Sequence, residues 1–428
     1  MQGRVLDFIK RPNSLNVIIN TVGNYLNVGF TALFAIILFR MMEPAQYGVL
    51  SVLLAIAYVL ATVLDFGTTA AIYSNLPVLL EAKSTRIYQF IKTTFVYQSV
   101  FSGIVISLLL ITFPYLDRIF FKTGAASWEL YVTAFSILFL LWQNFALNIL
   151  FAAKKFLSAN IYNNLQNIVK TAVLFILVNS NHLSVGGVLF VFGIFGPIVF
   201  FALLLFHKKD FILILAKASV KKEEFKFGYT LTYFIATQLF NLGGRMDLFL
   251  LSFYGLRNDV GYYGLSQKII LSVVTTVVSI TQVLSPNFSR INNRREAFQE
   301  LKHAALYLLL PSGLFVLLFF TPKELFYILF TEKKVGPVIP ITRSLIPAYI
   351  IFTLGNIPLQ FILYSVKKPI YVLYGNIVFF FAMIIGCYTL IPRYGVLAPP
   401  WVNLVAMSIP VTVLSIATYY EYKKLPTG

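Results

Sequence analysis

The sequence is poor in charge. Asp, Glu, Lys and Arg together make up 12% of its 428 residues, about half the share of a soluble globular chain. So few charges argue against a chain with a water-exposed surface of ordinary extent. A single cysteine, Cys387, excludes an intramolecular disulfide framework. Three histidines, His182, His207 and His303, stand in or near loops and form no metal cluster, so no cofactor or metal is expected. No Walker-type Gly-rich loop follows a strand, which argues against ATP hydrolysis. The opening "MQGRVLDFIKRPNS" has no long apolar core and no small-residue cleavage site. It reads as a basic amphipathic segment on the membrane surface rather than a removable signal peptide.

What the chain has in quantity is apolar length. It is 58% hydrophobic with a mean hydropathy of +0.80. Continuous apolar runs of about 20 residues recur, long enough to cross a bilayer as helices. Lipid admits only helices or closed barrels, and continuous rather than alternating runs select helices. The pattern predicts twelve spans, at about 14–39, 47–68, 88–113, 128–151, 160–178, 184–206, 229–254, 262–284, 301–320, 341–364, 370–391 and 396–420. The apolar stretch in "TPKELFYILFTEKKVGP", before the tenth, is too short to span and is expected at the interface.

The charge balance is +18. Basic residues are spread between apolar runs, so no nucleic-acid partner is expected. Threaded through twelve spans, 21 Lys and Arg fall on one side and 8 on the other. The positive-inside rule then places both termini and the 207–228 loop in the cytoplasm of a multi-pass cell-membrane protein.

The chain also repeats itself. "EPAQYGVLS" from Glu43 matches "DVGYYGLS" from Asp259, aligning Tyr47 with Tyr263 and Gly48 with Gly264, about half a chain apart. Both segments follow the first span of a six-span half, so the repeat is parallel. The expected fold class is an all-α polytopic membrane protein with about 12 transmembrane helices in two six-helix lobes around a central cavity. The lobes are expected at 1–206 and 229–428, joined by a cytoplasmic linker at 207–228.

Polar residues inside the spans carry the functional reading. Span one has Asn16, Asn20, Asn24 and Asn27 at helical spacing, and span five has Asn160, Asn163, Asn164, Asn167 and Lys170. Asn144 and Asn148 lie on span four, Asn241 on span seven, and Asn356 and Gln360 on span ten. For a single amide, helix-to-helix hydrogen bonding is the simpler account. For five striped spans together, a hydrated, sugar-compatible cavity is the better one. Tyr25, Tyr97, Tyr162, Tyr233 and Tyr374 are candidate stacking partners for sugar faces.

Four cations fall within spans: Lys170, Arg245, Lys268 and Arg343. A diphosphate suits them, since Arg binds phosphate oxygens bidentately and Lys acts as a point charge. Lys268 and Arg343 are near enough to span ends for snorkelling to explain them equally well. Asp247 follows Arg245 by two residues, on the opposite helix face. It is read either as pairing with a cation on a neighbouring span or as a carboxylate that couples an ion or proton gradient to transport. Asp65, in "LDFG", is first a hinge or helix cap and second a coupling site.

The segments "FRMMEPAQYGVLSV", "VLDFGTTAAI" and "GRMDLFLLSFYGLRNDVGYYGLSQKI" resemble the hallmark segments of bacterial polysaccharide flippases. These are the O-antigen-unit (Wzx-type) flippases and polysaccharide exporters of the multidrug/oligosaccharidyl-lipid/polysaccharide (MOP) superfamily. The resemblance implies a two-lobe, V-shaped fold and alternating access. It further implies movement of an undecaprenyl-diphosphate-linked oligosaccharide from the inner to the outer leaflet of the bacterial inner membrane, for O-antigen, capsule or exopolysaccharide. Polysaccharide polymerases and glycosyltransferases are then the expected partners, beside membrane lipids. Such a protein is a transporter and not an enzyme. The rivals are a multidrug exporter of the same superfamily and a membrane glycosyltransferase or polymerase. Short outer loops with few acids disfavour the enzyme, and buried cations disfavour a pocket for cationic drugs.

The predicted topology has a direct test. In a Cys387→Ala background, cysteines placed at Lys217 and at Arg257 should be labelled from opposite faces of the membrane. Labelling of both by an impermeant reagent applied to intact cells contradicts the layout.

Overall fold

The computed structural model describes residues 12–221, 230–288, 291–330 and 332–427. The basic segment proposed for residues 1–11 and part of the 207–228 linker lie outside them. The described residues are helical throughout, without strands. In chain order the helices are α1 Pro12–Met41, α2 Pro44–Val63, α3 Thr68–Glu81, α4 Arg86–Leu116, α5 Ser127–Ala152 and α6 Phe156–Asn179. Then come α7 Val185–Phe190, α8 Gly196–Lys217, α9 Thr230–Phe253, α10 Arg257–Phe288 and α11 Arg294–Phe320. The chain continues with α12 Lys323–Leu329, α13 Glu332–Val335, α14 Val338–Gln360, α15 Ile370–Tyr394 and α16 Ala398–Lys424.

Twelve of these helices have 20 residues or more, and each coincides with a predicted span. Among the described residues ten stretches are long and apolar enough to cross a membrane, the last of them, Ile370–Lys424, covering both α15 and α16, while α9 with its Arg245 and Asp247 is not among them. The differences are local. The second span ends at Val63 and the chain turns through Leu64–Gly67, with Phe66 and Gly67 at positive φ. A separate 14-residue helix, α3, follows; the apolar pattern gives no sign of it because it is too short to span. The sixth span is α7 and α8 joined by a π-helical turn, Val191–Phe195.

Helix ends are closed in a recurring way. After α3, Lys83 lies at φ 48° and Ser84 N–H bonds Leu79 O at 3.1 Å. After α5, Lys154 lies at φ 58° and Lys155 N–H bonds Leu150 O at 2.8 Å. These are left-handed helix stops of the kind glycine usually supplies. Lysine adds a cation beside carbonyls that carry partial negative charge.

The chain forms two compact units. The first holds the described residues up to Thr31, Leu53–Arg118 and Gly124–Phe234. The second holds Ala32–Val52, Ile119–Thr123 and the described residues from Ile235 onward. Within the first, Ile72, Leu76, Phe90, Ile91 and Phe145 form one apolar cluster, and Tyr162 and Phe200 belong to another.

In the second unit the two repeat segments pack on each other. A methyl group added at Gly261 would lie 2.1 Å from Pro44 O, and one at Gly48 would lie 2.4 Å from Arg257 O. The first turns of α2 and α10 therefore approach at backbone distance, which only glycine at both positions allows. Reciprocal caps fix the same region. Arg40 donates to Ile328 O at 2.6 Å, near the end of α12, and Lys334 donates to Met42 O at 2.8 Å, just beyond α1. Short α12 turns Phe326 inward and leaves Leu325, Ile328 and Leu329 exposed, as an interfacial segment requires.

Gly261→Ala should act as overpacking against backbone that has nowhere to move, costing about 1–3 kcal/mol. The expected result is a lower thermal midpoint in detergent by fluorescence-detected size exclusion. Wild-type stability would show that α2 and α10 do not approach this closely.

Candidate functional site

The question raised by Arg245 and Asp247 inside an apolar helix has a geometric answer in the second unit. Asp247 is 1% exposed. Its Oδ2 accepts from Tyr263 Oη at 2.6 Å, Gln267 Nε2 at 2.8 Å and Asn403 Nδ2 at 3.1 Å, while Oδ1 accepts from Leu248 N at 2.7 Å. The carboxylate thus ties α9 to α10 and α16 through neutral donors. No cation of a neighbouring span is bonded to it among the described residues; Arg245, on its own helix, stands one amide away, its Nη1 donating to Gln267 Oε1 at 3.0 Å. Gln267 spans the two charges, its oxygen on the guanidinium and its nitrogen on the carboxylate. That arrangement fixes the amide orientation. It also lets charges on opposite faces of α9 share one partner on α10.

Lys268, next in the chain, is half-buried with Nζ 5.2 Å from the centre of the Tyr47 ring. The Tyr47 hydroxyl and Ser51 Oγ beside it are buried without a hydrogen-bond partner. Asn403 also donates to Pro399 O at 3.0 Å, so it reaches the carboxylate while bonded to its own helix. Gly243 passes the Phe379 ring closely, and Phe240 stacks between Phe352 and Phe379 at 5.8 and 5.0 Å. Stacked rings and a close backbone therefore set the rotation of α9.

The first unit carries the other deep cation. Lys170 on α6 is buried, with Nζ 5.3 Å from the Phe192 ring in the π-helical turn. A methyl group at Gly196 would lie 2.8 Å from Lys170 Cδ, so glycine there makes room for the lysine stem. The amides around it largely bond one another. Asn167 Nδ2 donates to Asn27 Oδ1 at 2.8 Å, Asn164 Nδ2 to Asn160 O at 2.9 Å and Gln166 Nε2 to Asn163 Oδ1 at 2.8 Å. Asn148 Nδ2 donates to Thr69 Oγ1 at 2.7 Å. Asn24 and Asn144 are half-buried. The side chains of Asn16 and Asn20 lie outside the description.

Asp65 holds the start of α3. Its carboxylate accepts from the Thr68 hydroxyl, from Thr69 N at 3.1 Å and from Gln98 Nε2 at 3.3 Å. In the second unit Asn241 Nδ2 donates to Gln238 Oε1 at 3.4 Å, Asn356 Nδ2 to Phe352 O at 2.8 Å, and Gln360 Oε1 accepts from Ser285 at 2.7 Å. Arg343 meets none of these groups: its Nη2 donates to Thr321 O at 2.9 Å, just beyond α11. Gln267 and Asn403 were not singled out from the sequence, and Tyr263 was marked only by the half-length repeat, not as a partner of Asp247. Tyr263 and Gln267 share a helix face four residues apart, a signal readable only once Asp247 is known to face them.

Gln267→Leu removes a partner from both Arg245 and Asp247, whereas Tyr263→Phe removes one donor from the carboxylate. Hydrogen bonds to charged groups contribute about 1.5–3 kcal/mol. Gln267→Leu should therefore lower the thermal midpoint more than Tyr263→Phe, with both below wild type. The reverse order would break the bridging role of Gln267.

Comparison with known proteins places this geometry. No curated protein sequence matches the chain. Among solved structures it is similar to the lipid II flippase MurJ in an inward closed conformation. The TM-score is 0.69 at 15% identity, covering 96% of this chain and 88% of that one. It is also similar to a MOP superfamily transporter from Pyrococcus furiosus, with TM-score 0.64 and 14% identity over 95% of each chain. A third similarity is to an inward-facing multidrug resistance MATE family transporter, with TM-score 0.63 and 14% identity, covering 95% of this chain and 98% of that one. At such identities the likeness shows a shared fold. The family model described as polysaccharide biosynthesis protein matches residues 15–292, well over half of the chain. The chain therefore belongs to the polysaccharide biosynthesis protein family and has the MOP flippase fold.

Proposed function

We propose that the protein is a flippase that moves an undecaprenyl-diphosphate-linked oligosaccharide from the inner to the outer leaflet of the bacterial inner membrane, by alternating access, for surface polysaccharide. The observation that carries this is the placement of basic and amide groups within long helices in a chain of this family. Lys170 is buried at mid-helix in one unit, and Arg245 with Lys268 stands in the other. Lys170 and Lys268 lie on helices long and apolar enough to cross a membrane, where a charge costs about 2.5–3.5 kcal/mol. A diphosphate that must cross low dielectric supplies the compensating charge.

Arg245 has one guanidinium nitrogen on Gln267, and its planar fork has further donors for phosphate oxygens. Gln267 holds it in orientation. The amides of α1, α5, α6, α9 and α14 suit hydroxyl-rich cargo, since each both donates and accepts. Asp247 and Asp65 are the carboxylates that would couple an ion or proton gradient. Both accept hydrogen bonds in clusters that join helices, so a change in their charge would reach helix packing. Glycosyltransferases and a polysaccharide polymerase would make the cargo and consume it.

Arg245→Ala and Lys170→Ala should abolish or cripple export while the protein still inserts and accumulates. Arg245→Lys should restore export only in part, because the forked geometry is lost. The readout is the amount of lipid-linked sugar reached by an impermeant enzyme on the outer face of vesicles. If Arg245 only offsets Asp247, the double variant Arg245→Ala/Asp247→Asn should regain abundance and full export, and that result would refute the substrate role.

A further inference from the structure

Arg343 lies on α14 against an apolar furrow of 470 Å³ bounded by α11, α14 and α16, with Phe319, Pro347, Trp401 and Leu404 in its walls. Its guanidinium makes one hydrogen bond, to Thr321 O, and its Nε is buried without a partner. Among the described residues it enters no ion pair. On α16 Trp401 stands about 160° round the helix from Asn403, and Leu404 about 100°; Asn403 is buried against Asp247. The furrow therefore faces away from the Arg245–Gln267–Asp247 cluster.

Two further furrows lie beside it. One of 330 Å³ shares Phe319 and Pro347 and runs between α11 and α14. The other, of 430 Å³, shares Leu404 and follows α16 to Val413, nine residues along, or roughly 14 Å at 1.5 Å per residue. Arg343 is five residues into α14, roughly one and a half turns from its start. That depth lies close beneath a headgroup layer. One cation with unused donors thus lines a furrow that shares walls with two apolar ones.

We propose that this three-way furrow is a binding site for one anionic diacyl phospholipid of the surrounding membrane. Its phosphate sits on Arg343, and its two acyl chains lie along α16 and between α11 and α14. The charge calls for an anion. The two channels call for two chains and not for the single long chain of a polyprenyl lipid. The sequence reading left Arg343 evenly between the transported diphosphate and snorkelling; the furrow points it to resident lipid, independently of what the protein carries.

Trp401 reports on the site. The protein is reconstituted in phosphatidylcholine nanodiscs containing either brominated phosphatidylglycerol or brominated phosphatidylcholine at equal mole fraction. The quenching that disappears in Trp401→Phe belongs to this furrow. Wild type should show an apparent preference of roughly fivefold for the anionic lipid, and Arg343→Gln should bring it to parity. Unbrominated phosphatidylglycerol should relieve the quenching better than a polyprenyl phosphate. Equal quenching by both brominated lipids in wild type would mean ordinary lipid contact and overturn the site, a comparison that does not depend on a variant folding. A preference that survives Arg343→Gln, or stronger relief by the polyprenyl phosphate, would equally overturn it.

Discussion

A carboxylate buried among membrane helices has no water to turn to, and the second unit is arranged around that fact. Asp247 takes hydrogen bonds from Tyr263, Gln267 and Asn403 and from its own following amide. Each donor belongs to a helix whose rotation must be right for the bond to form. Satisfying one charged group therefore sets the faces that α9, α10 and α16 show one another. A half-satisfied buried network costs more than an apolar core, so the members act together. Arg245 enters through Gln267 and is held at one amide's distance from the carboxylate. Its charge is offset, yet the guanidinium is not closed off by a direct ion pair.

The surplus of basic residues has a second use. Helix C-termini in this chain repeatedly receive a cation. Arg40 serves α12, Lys334 serves α1, Arg343 serves the end of α11, and Arg294 reaches Lys423 O at the end of α16. Lys83 and Lys154 close their own helices in left-handed conformation. Last-turn carbonyls lack intrahelical partners and carry the negative end of the helix dipole. Basic side chains satisfy them, on the ends of several helices.

The parts of this architecture legible in sequence are those encoded by long, one-dimensional patterns. Apolar length gave twelve spans because the bilayer demands about 20 residues of each. The half-length repeat marked Tyr47, Gly48, Tyr263 and Gly264, and α2 and α10 do meet at those turns. What escaped was contact across helices. Short α3 has no spanning pattern to announce it. Gln267 and Asn403 look like isolated polar residues until Asp247 is placed against both. Arg343, like Arg245, is an arginine inside a predicted span, though nearer its end. Their surroundings differ because one faces polar helix neighbours and the other an apolar furrow, and helix rotation is set by packing that no single helix encodes.

The amide stripes show where the two readings of a polar face meet. Asn27 with Asn167, and Asn148 with Thr69, are bonded helix to helix, the simpler account for any one of them. An amide has two donors and two accepting lone pairs, so one such bond leaves capacity unused. The bond also fixes the plane of the amide. A hydroxyl-rich cargo meeting these faces would find donors and acceptors already oriented, and less ordering cost would be charged against its binding. Under the proposed function, helix cohesion and sugar recognition would then be successive consequences of the same side chains: interhelical pairing orients the amides, and their remaining valences would define what can bind.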